Sequence, residues 1–413
     1  VKIVLVKPPF ARLLGNDVYA TMPLGLCYVA ANLKAHGHDV RVYHDDVSNP
    51  VPVPRGRVEF GPMTFRPVDD TMLAPLVELL DDFKPEVVGV SSVTADYESG
   101  LAVAKLCKQR GIRTVAGGIH PSLLPDDAAE HYDAVFAGEG DSPECVALFE
   151  DPNMTFAQGL CLDLNNVIPD RHAIVGWERY TSFLQGMIQT QRGCPYSCGY
   201  CAAPKVFGNR PRMRDAGLVR EEVESLGVPS GRIIDDAFAV NRAHGLAICR
   251  ELSKVNYDWV CDIALQNVDE ELLDRMKAAG CTQINMGIES ASKRWQALSG
   301  KKIKPGQPEI VLAWGKQRGI RVIYYFMVGF PGETLQELKA TLAMASRLKD
   351  MGGHPCISVV TPYPRTQLWD LCFNHRPMSW AWSDFIHQSS KMGFADVSDG
   401  EWQEVLREAG RIG

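Results

Sequence analysis

The sequence predicts an α/β protein in two halves. Residues 1–150 read as a doubly wound parallel sheet and residues 181–375 as a partial (β/α)6 barrel. Two observations carry this. Short apolar runs alternate with amphipathic stretches through both halves, the pattern of parallel strands covered by helices. The loops after those runs are rich in Gly, Ser and Pro, where such folds hold ligands, beyond the carboxyl ends of the strands.

In the front half, "KIVLV" within "VKIVLVKPPF" gives a buried first strand, too quickly broken by prolines to be a secretory signal. A helix follows through "LGLCYVAANLKAHG", whose apolar positions recur every three or four residues. Then come the strand "DVRVYH", a helix near 72–83, "VVGVSS", the helix "GLAVAKLCKQRG", "RTVAGG" and "AVFAGEG". Residues 151–180, with "DLNNVIPD", read as an irregular linker. The back half offers six strands: "GMIQTQRG", "GRIIDDAFAV", "DWVCDIALQ", "QINMGIES", "RVIYYFMVGFPGET" and "CISVVTPYP". Helical patterns such as "NRAHGLAICRELSKV", "EELLDRMKAAG" and "LQELKATLAMASRLKDMG" separate them. Residues 376–413 form a short C-terminal helical segment.

Composition narrows the function classes. The 413 residues are 46% apolar and 23% charged, as in ordinary globular enzymes. A net charge of -7 gives no basic face for nucleic acid, and no apolar run reaches the roughly 18 residues of a membrane span. A cytoplasmic location is expected, where the 12 cysteines stay reduced and a close group suggests metal. Nine are scattered and read mostly as small core residues. The other three, Cys194, Cys198 and Cys201, stand together in "RGCPYSCGYC". A structural zinc site would need a fourth ligand, and no second C-x-x-C or H-x-x-x-H is present. A redox pair would not need Cys194. Three thiolates on one loop suit three irons of a [4Fe–4S] cluster, leaving one iron open.

C-x-x-x-C-x-x-C after the first strand of a partial barrel resembles the radical S-adenosylmethionine (SAM) enzymes. The resemblance implies a TIM-like barrel, a [4Fe–4S] cluster and SAM, an electron donor such as flavodoxin or ferredoxin, and radical abstraction of a substrate hydrogen. It places Tyr200 beside the adenine. It gives Asp235 or Asp236 in "IIDDAF" the methionyl amine, and puts Glu289 and Ser290 of "MGIES" and Pro362 and Tyr363 of "TPYP" on SAM. The family's usual glycine after "TPYP" is Arg365 here. The front half resembles the Rossmann-type cobalamin-binding domain of one branch of the family. That implies cofactor loops at Pro8 and Pro9, at Ser91, Ser92 and Thr94, at Gly117, Gly118 and His120, and at Gly138, Glu139 and Gly140. No D-x-H-x-x-G is present, so cobalt ligation by a histidine from below is not expected, and the resemblance leaves cobalamin binding itself open.

The reaction is read from weaker signs. Most of the branch methylates its substrates, often with a C-terminal extension over the barrel. The short C-terminal segment resembles instead the radical SAM diol dehydratases of aminoglycoside (apramycin-type) antibiotic biosynthesis, which work without cobalamin and beside a partner reductase. Radical dehydration of a small aminoglycoside diol is therefore the leading expectation, with Asp236, Asp262 and Glu289 facing its ammonium groups and Ala264 standing where relatives carry arginine. Cobalamin-dependent methylation of a natural-product intermediate is the alternative, and a non-enzymatic cobalamin- or metal-binding sensor a third. Tyr324, Tyr325 and His354 are candidates for the proton donor to a departing hydroxyl.

Overall fold

The computed structural model describes residues 1–9, 21–44, 68–301, 303–373, 380–385 and 393–413. Phe10 of the first loop, and residues 376–379 and 386–392 of the C-terminal segment, lie outside them.

The front half is a six-stranded parallel sheet of β1 (Lys2–Lys7), β2 (Asp39–His44), β3 (Val87–Ser91), β4 (Arg113–Gly117), β5 (Ala134–Gly138) and β6 (Phe156–Gly159). Their order is β2-β1-β3-β4-β5-β6. Side chains alternate across such a strand, so one chain segment feeds two cores. Ile3, Leu5, Val115 and Phe136 pack under helices Leu24–Ala35 and Pro143–Glu150. Val4, Val6, Val88 and Val90 pack under helices Asp70–Phe83 and Tyr97–Gln109. Strand order reverses between β1 and β3, the switch point where a cleft opens in this topology. The stretch read as a linker supplies β6: Phe156 to Gly159 pair with Val135 to Gly138. The strand is short and largely exposed, so its apolar alternation is weak in the sequence.

The back half opens with two short antiparallel strands, β7 (Gln191–Arg192) and β8 (Arg212–Met213). A five-stranded parallel sheet follows: β9 (Ser230–Phe238), β10 (Asp258–Ile263), β11 (Cys281–Glu289), β12 (Arg321–Val328) and β13 (His354–Val359), ordered β13-β12-β11-β10-β9. The first of the six expected strands pairs with β9 only at Ile188↔Ile233. Beyond that bridge the Asp235 carboxylate, instead of a backbone carbonyl, takes the amides of Thr190 and Gln191 at 2.7 and 3.1 Å. A side chain thus replaces the ladder and ends the strand pairing. Ile233, Cys261, Ile284, Tyr324 and Phe326 are buried on the helix side. Arg232, Asp262, Tyr325 and Cys356 occupy alternate positions on the opposite, lumen side, and remain partly or wholly exposed. The C-terminal helix Asp399–Ile412, started by a Ser398/Glu401 capping box, buries Val405, Ala409 and Ile412 in the barrel core.

Candidate active site

The cysteine loop leaves β7 through Gly193, whose φ of 90° is ordinary only for glycine. Its amide donates to Asp236 Oδ2 at 3.1 Å, which ties the loop to the end of β9. Gly199 lies in the middle of the loop. Its amide donates to Leu298 O and its carbonyl accepts from the Leu368 amide, both at 2.8 Å, and a Cβ there would meet Leu298 Cδ1 at 2.6 Å. The close approach explains the glycine between two cysteines.

Cys194, Cys198 and Cys201 are half-buried, whereas Cys27, Cys107, Cys145, Cys161, Cys249, Cys261 and Cys281 are buried as expected for core residues. Burial raises the thiol pKa of each triad member, that of Cys201 to about 11, although backbone hydrogen bonds from Tyr196 to Cys194 and from Ala203 to Cys201 oppose it. Iron coordination would release those protons. Among the described residues no three His, Cys, Asp or Glu side chains meet at a point fit for one metal ion. A [4Fe–4S] cluster asks for one thiolate per iron, spread around a cube, and three half-buried sulfurs on one loop are the donor set for it.

Around the triad the expected SAM residues separate into two groups. Tyr200 donates to Glu289 Oε1 at 2.7 Å and also reaches the Cys198 sulfur; Tyr363 packs in the cluster that holds Ala202, the residue after Cys201. Glu289 sits at the end of β11 with φ 69°, just after a register shift against β12, and is held by Lys301 as well. Asp236, exposed on the lumen side of β9, faces the loop. These residues come together around the triad. Asp235 and Ser290 do not. Asp235 is 2% exposed and fully engaged with Thr190 and Gln191, and the Ser290 hydroxyl bonds Thr341 at 3.1 Å on the helix side. Period-2 alternation puts Asp235 on the opposite face from Asp236. Pro362 is buried in the turn that presents Tyr363.

The substrate expectations change more. Asp262 is ion-paired with Arg232 and bonded by Asn285 at 3.0 Å, and Tyr325 also bonds Arg232. An arginine from β9 thus neutralises Asp262, which is not free to face an ammonium group. Tyr324 is buried and donates to Pro308 O at 2.7 Å, which removes it as a proton donor. His354 begins β13, at the end of the barrel away from the cysteines.

A cavity of about 350 Å³ lies between the two halves, within the roughly 300–1,000 Å³ range of ligand pockets. Ser91, Ser92, Gly117, Gly118, Gly138, Glu139 and Gly140 line it from the front sheet; Gln189, Arg192, Ile234 and Asp236 line it from the barrel. It continues as an apolar slot between Leu5, Gly89, Val115 and Phe136 of the sheet and Cys145 and Phe149 of the helix above. Gly138 has φ 105°, and a Cβ there would run into the Gly159 carbonyl. The lining is polar and glycine-rich at the strand ends and apolar between the sheet and the helix. Pro8, Pro9, Thr94 and His120 do not line it. His120 is wholly buried, its ring 3.9 Å from Tyr97 and 4.6 Å from Trp382, and burial lowers its pKa to about 4. It packs under a loop, with Nδ1 3.3 Å from the Thr94 hydroxyl.

Sequence reading missed Arg192, Asp141, Arg212 and Lys301. Arg192 and Asp141 adjoin quoted motifs, "RGC" and "GEGD", and proximity was the available signal. Lys301 reaches Glu289 from beyond the helix Lys293–Leu298, with no motif to mark it.

Comparison with known proteins places this architecture. Residues 188–345 match the radical SAM superfamily and residues 13–148 the B12 binding domain. The back half thus matches a radical SAM model and the front half a B12-binding model, and the cofactors include a [4Fe–4S] cluster and SAM. It is 26% identical over 442 residues to an uncharacterised methyltransferase of Pyrococcus horikoshii, covering 99% of this chain and 91% of that one. It is 25% identical over 414 residues to cytidylyl-2-hydroxyethylphosphonate methyltransferase of Streptomyces wedmorensis, covering 82% and 76%. The fold is that of the radical SAM methyltransferase TsrM from Kitasatospora setae, solved with cobalamin and a [4Fe–4S] cluster, at a TM-score of 0.74 and 17% identity over 100% of this chain and 91% of that one. No helix among the described residues is long and apolar enough to cross a membrane.

Proposed function

We propose that this chain is a cobalamin-dependent radical SAM methyltransferase acting on a small molecule held between the barrel mouth and the front-domain cavity. The observation that carries the reading is Asp236, which holds the Gly193 amide of the cysteine loop and lines the cavity at the same time. A ligand in the cavity and a cluster on the triad would therefore share one wall.

When bound, the cluster with SAM supplies one-electron cleavage of the sulfonium, and a corrin supplies the methyl group. Cys194, Cys198 and Cys201 would hold three irons. Tyr200, Glu289 and Asp236 would orient SAM over the fourth, and the Gly117, Gly118 and Gly138 backbone would let a corrin approach closely. Tyr325 and the Arg232–Asp262 pair would line the substrate side.

Dehydration of an aminoglycoside, the leading expectation from sequence, gives way to methylation for two reasons. The Asp262 carboxylate that a polyamine would need is neutralised by Arg232. A methyltransferase relative and a methyltransferase structure are matched over nine-tenths of their lengths, so a short C-terminal segment does not favour a dehydratase. The test is anaerobic reconstitution with iron, sulfide and hydroxocobalamin. Retained corrinoid absorbance and a product heavier by one methylene support the reading. A product lacking one water, formed without corrinoid, would overturn it.

A further inference from the structure

The cavity loop and the cysteine loop meet through buried charge. Glu139, just after β5, accepts at Oε2 from Arg192 Nη1 at 3.0 Å, Arg212 Nη1 at 2.7 Å and the Cys161 amide at 2.9 Å. Its Oε1 accepts from Arg212 Nη2 at 2.5 Å. Asp141 adds a second carboxylate to Arg192 Nη1 at 2.7 Å. Glu139, Asp141 and Arg192 are all buried. Two carboxylates face two guanidinium groups, so the cluster of charges is balanced and its polar atoms are well used.

The position of Arg192 gives this network its consequence. It pairs with Arg212 across β7 and β8 and stands two residues before Cys194. The Gly193 amide between them is taken by Asp236. The main chain entering the cysteine loop is thus fixed from the front domain on one side and from β9 on the other. Glu139, Asp141, Arg192 and Asp236 also line the cavity, so a ligand's polar groups there would compete with, or add to, the same hydrogen bonds.

We propose that Glu139, acting through Arg192, is a positioning residue that couples occupancy of the front-domain cavity to the geometry of the cysteine loop. The proposal rests on the reading that the cavity takes a corrin. The test uses the full chain reconstituted with iron and sulfide, with and without hydroxocobalamin, as wild type, Glu139→Gln and Asp141→Asn. Amide hydrogen exchange of the 190–201 peptide and the EPR spectrum of the reduced cluster are read. In the wild type, hydroxocobalamin should slow exchange of that peptide several-fold and shift the cluster spectrum. Glu139→Gln should raise exchange at 190–201 several-fold without corrinoid and abolish both responses, with β10 to β12 unchanged. Asp141→Asn leaves all contacts of Glu139 in place and should show a smaller change of the same sign, even where Glu139→Gln fails to fold. Unchanged exchange at 190–201 in a folded variant, or a rise spread evenly over both halves, overturns the proposal. Wild type that retains hydroxocobalamin with neither response overturns the coupling alone; wild type that retains none overturns the corrin reading with it.

Discussion

The Tyr200 hydroxyl lies between Cys198 and Glu289, donating to Glu289 Oε1 at 2.7 Å while reaching the Cys198 sulfur. One aromatic residue of the cysteine loop thereby joins a cysteine of the triad to the end of β11. Glu289 holds a left-handed φ of 69° to meet it, a conformation that costs a non-glycine residue about 1–2 kcal/mol. Strain of this kind persists where surrounding contacts fix it, here Tyr200 and Lys301. Glu289→Gln should reduce 5′-deoxyadenosine formation about tenfold or more, in line with the roughly 1.5–3 kcal/mol of a charge-assisted hydrogen bond, with iron content unchanged. Tyr200→Phe should cost only a few-fold, about 1 kcal/mol. Product quantification with SAM titration checks both. Equal, unimpaired turnover in the two variants would remove Glu289 from the site.

The three cysteines differ from the seven buried ones in exposure as well as spacing; Cys372, also half-buried, and Cys356, exposed, each stand alone in the sequence. Replacing Cys194, Cys198 or Cys201 by Ala should take bound iron from about four per chain toward zero and remove the visible absorbance of the reconstituted protein. Cys356→Ala is the control: this exposed thiol stands on β13 and should leave iron content at the wild-type level. Iron retained in any triad variant would mean that another residue completes the site.

Much of this was legible in the sequence because the signals were periodic or tightly spaced. The strands β1 to β5 and β9 to β13 show clear apolar runs, and three cysteines in eight residues name their own chemistry. The losses have physical causes. β6 is too short and exposed for its alternation to register. Asp235 and Asp236 are adjacent in the chain but opposite in space, and only the pleat of β9 tells which one faces the cysteines. His120 looks like a loop ligand until its burial against Tyr97 and Trp382 is seen, and Trp382 is 262 positions away in the chain. The ion pair Arg232–Asp262 crosses from β9 to β10, a register that no local pattern encodes.

Arg365 has φ 61°, left-handed backbone that glycine adopts freely. This accounts for the glycine that the family resemblance expects after "TPYP": the turn beyond Tyr363 takes a backbone conformation that suits glycine, and here an arginine bears the strain. Its side chain is exposed, so little packing offsets the cost. Arg365→Gly should raise the stability of the chain by about 1 kcal/mol at most, since glycine's extra unfolded-state entropy takes back part of the relief. Denaturant unfolding at a fixed pH checks it. A loss of stability would show that the arginine side chain makes a contact worth more than the strain.

Asp235 gives the protein a pH dependence with a definite sign. Burial raises its carboxyl pKa from 3.8 to about 7, against the opposing hydrogen bonds from Thr190 and Gln191. Between about pH 4 and 7 the unfolded chain has lost this proton while the folded chain keeps it, so the group's contribution to stability falls as pH rises across that window and levels off above it. An asparagine side chain in its place would present an oxygen to the same two amides and an NH2 to the Thr190 hydroxyl without ionising. Asp235→Asn should therefore be more stable than the wild type at pH 8, by on the order of 1.4 kcal/mol for each unit of the shift, with the gain shrinking toward zero near pH 4. Paired urea titrations at pH 5 and pH 8 measure it. A difference between variant and wild type that stays constant with pH would mean that Asp235 is ionised in the folded protein throughout, and that its three hydrogen bonds outweigh its burial.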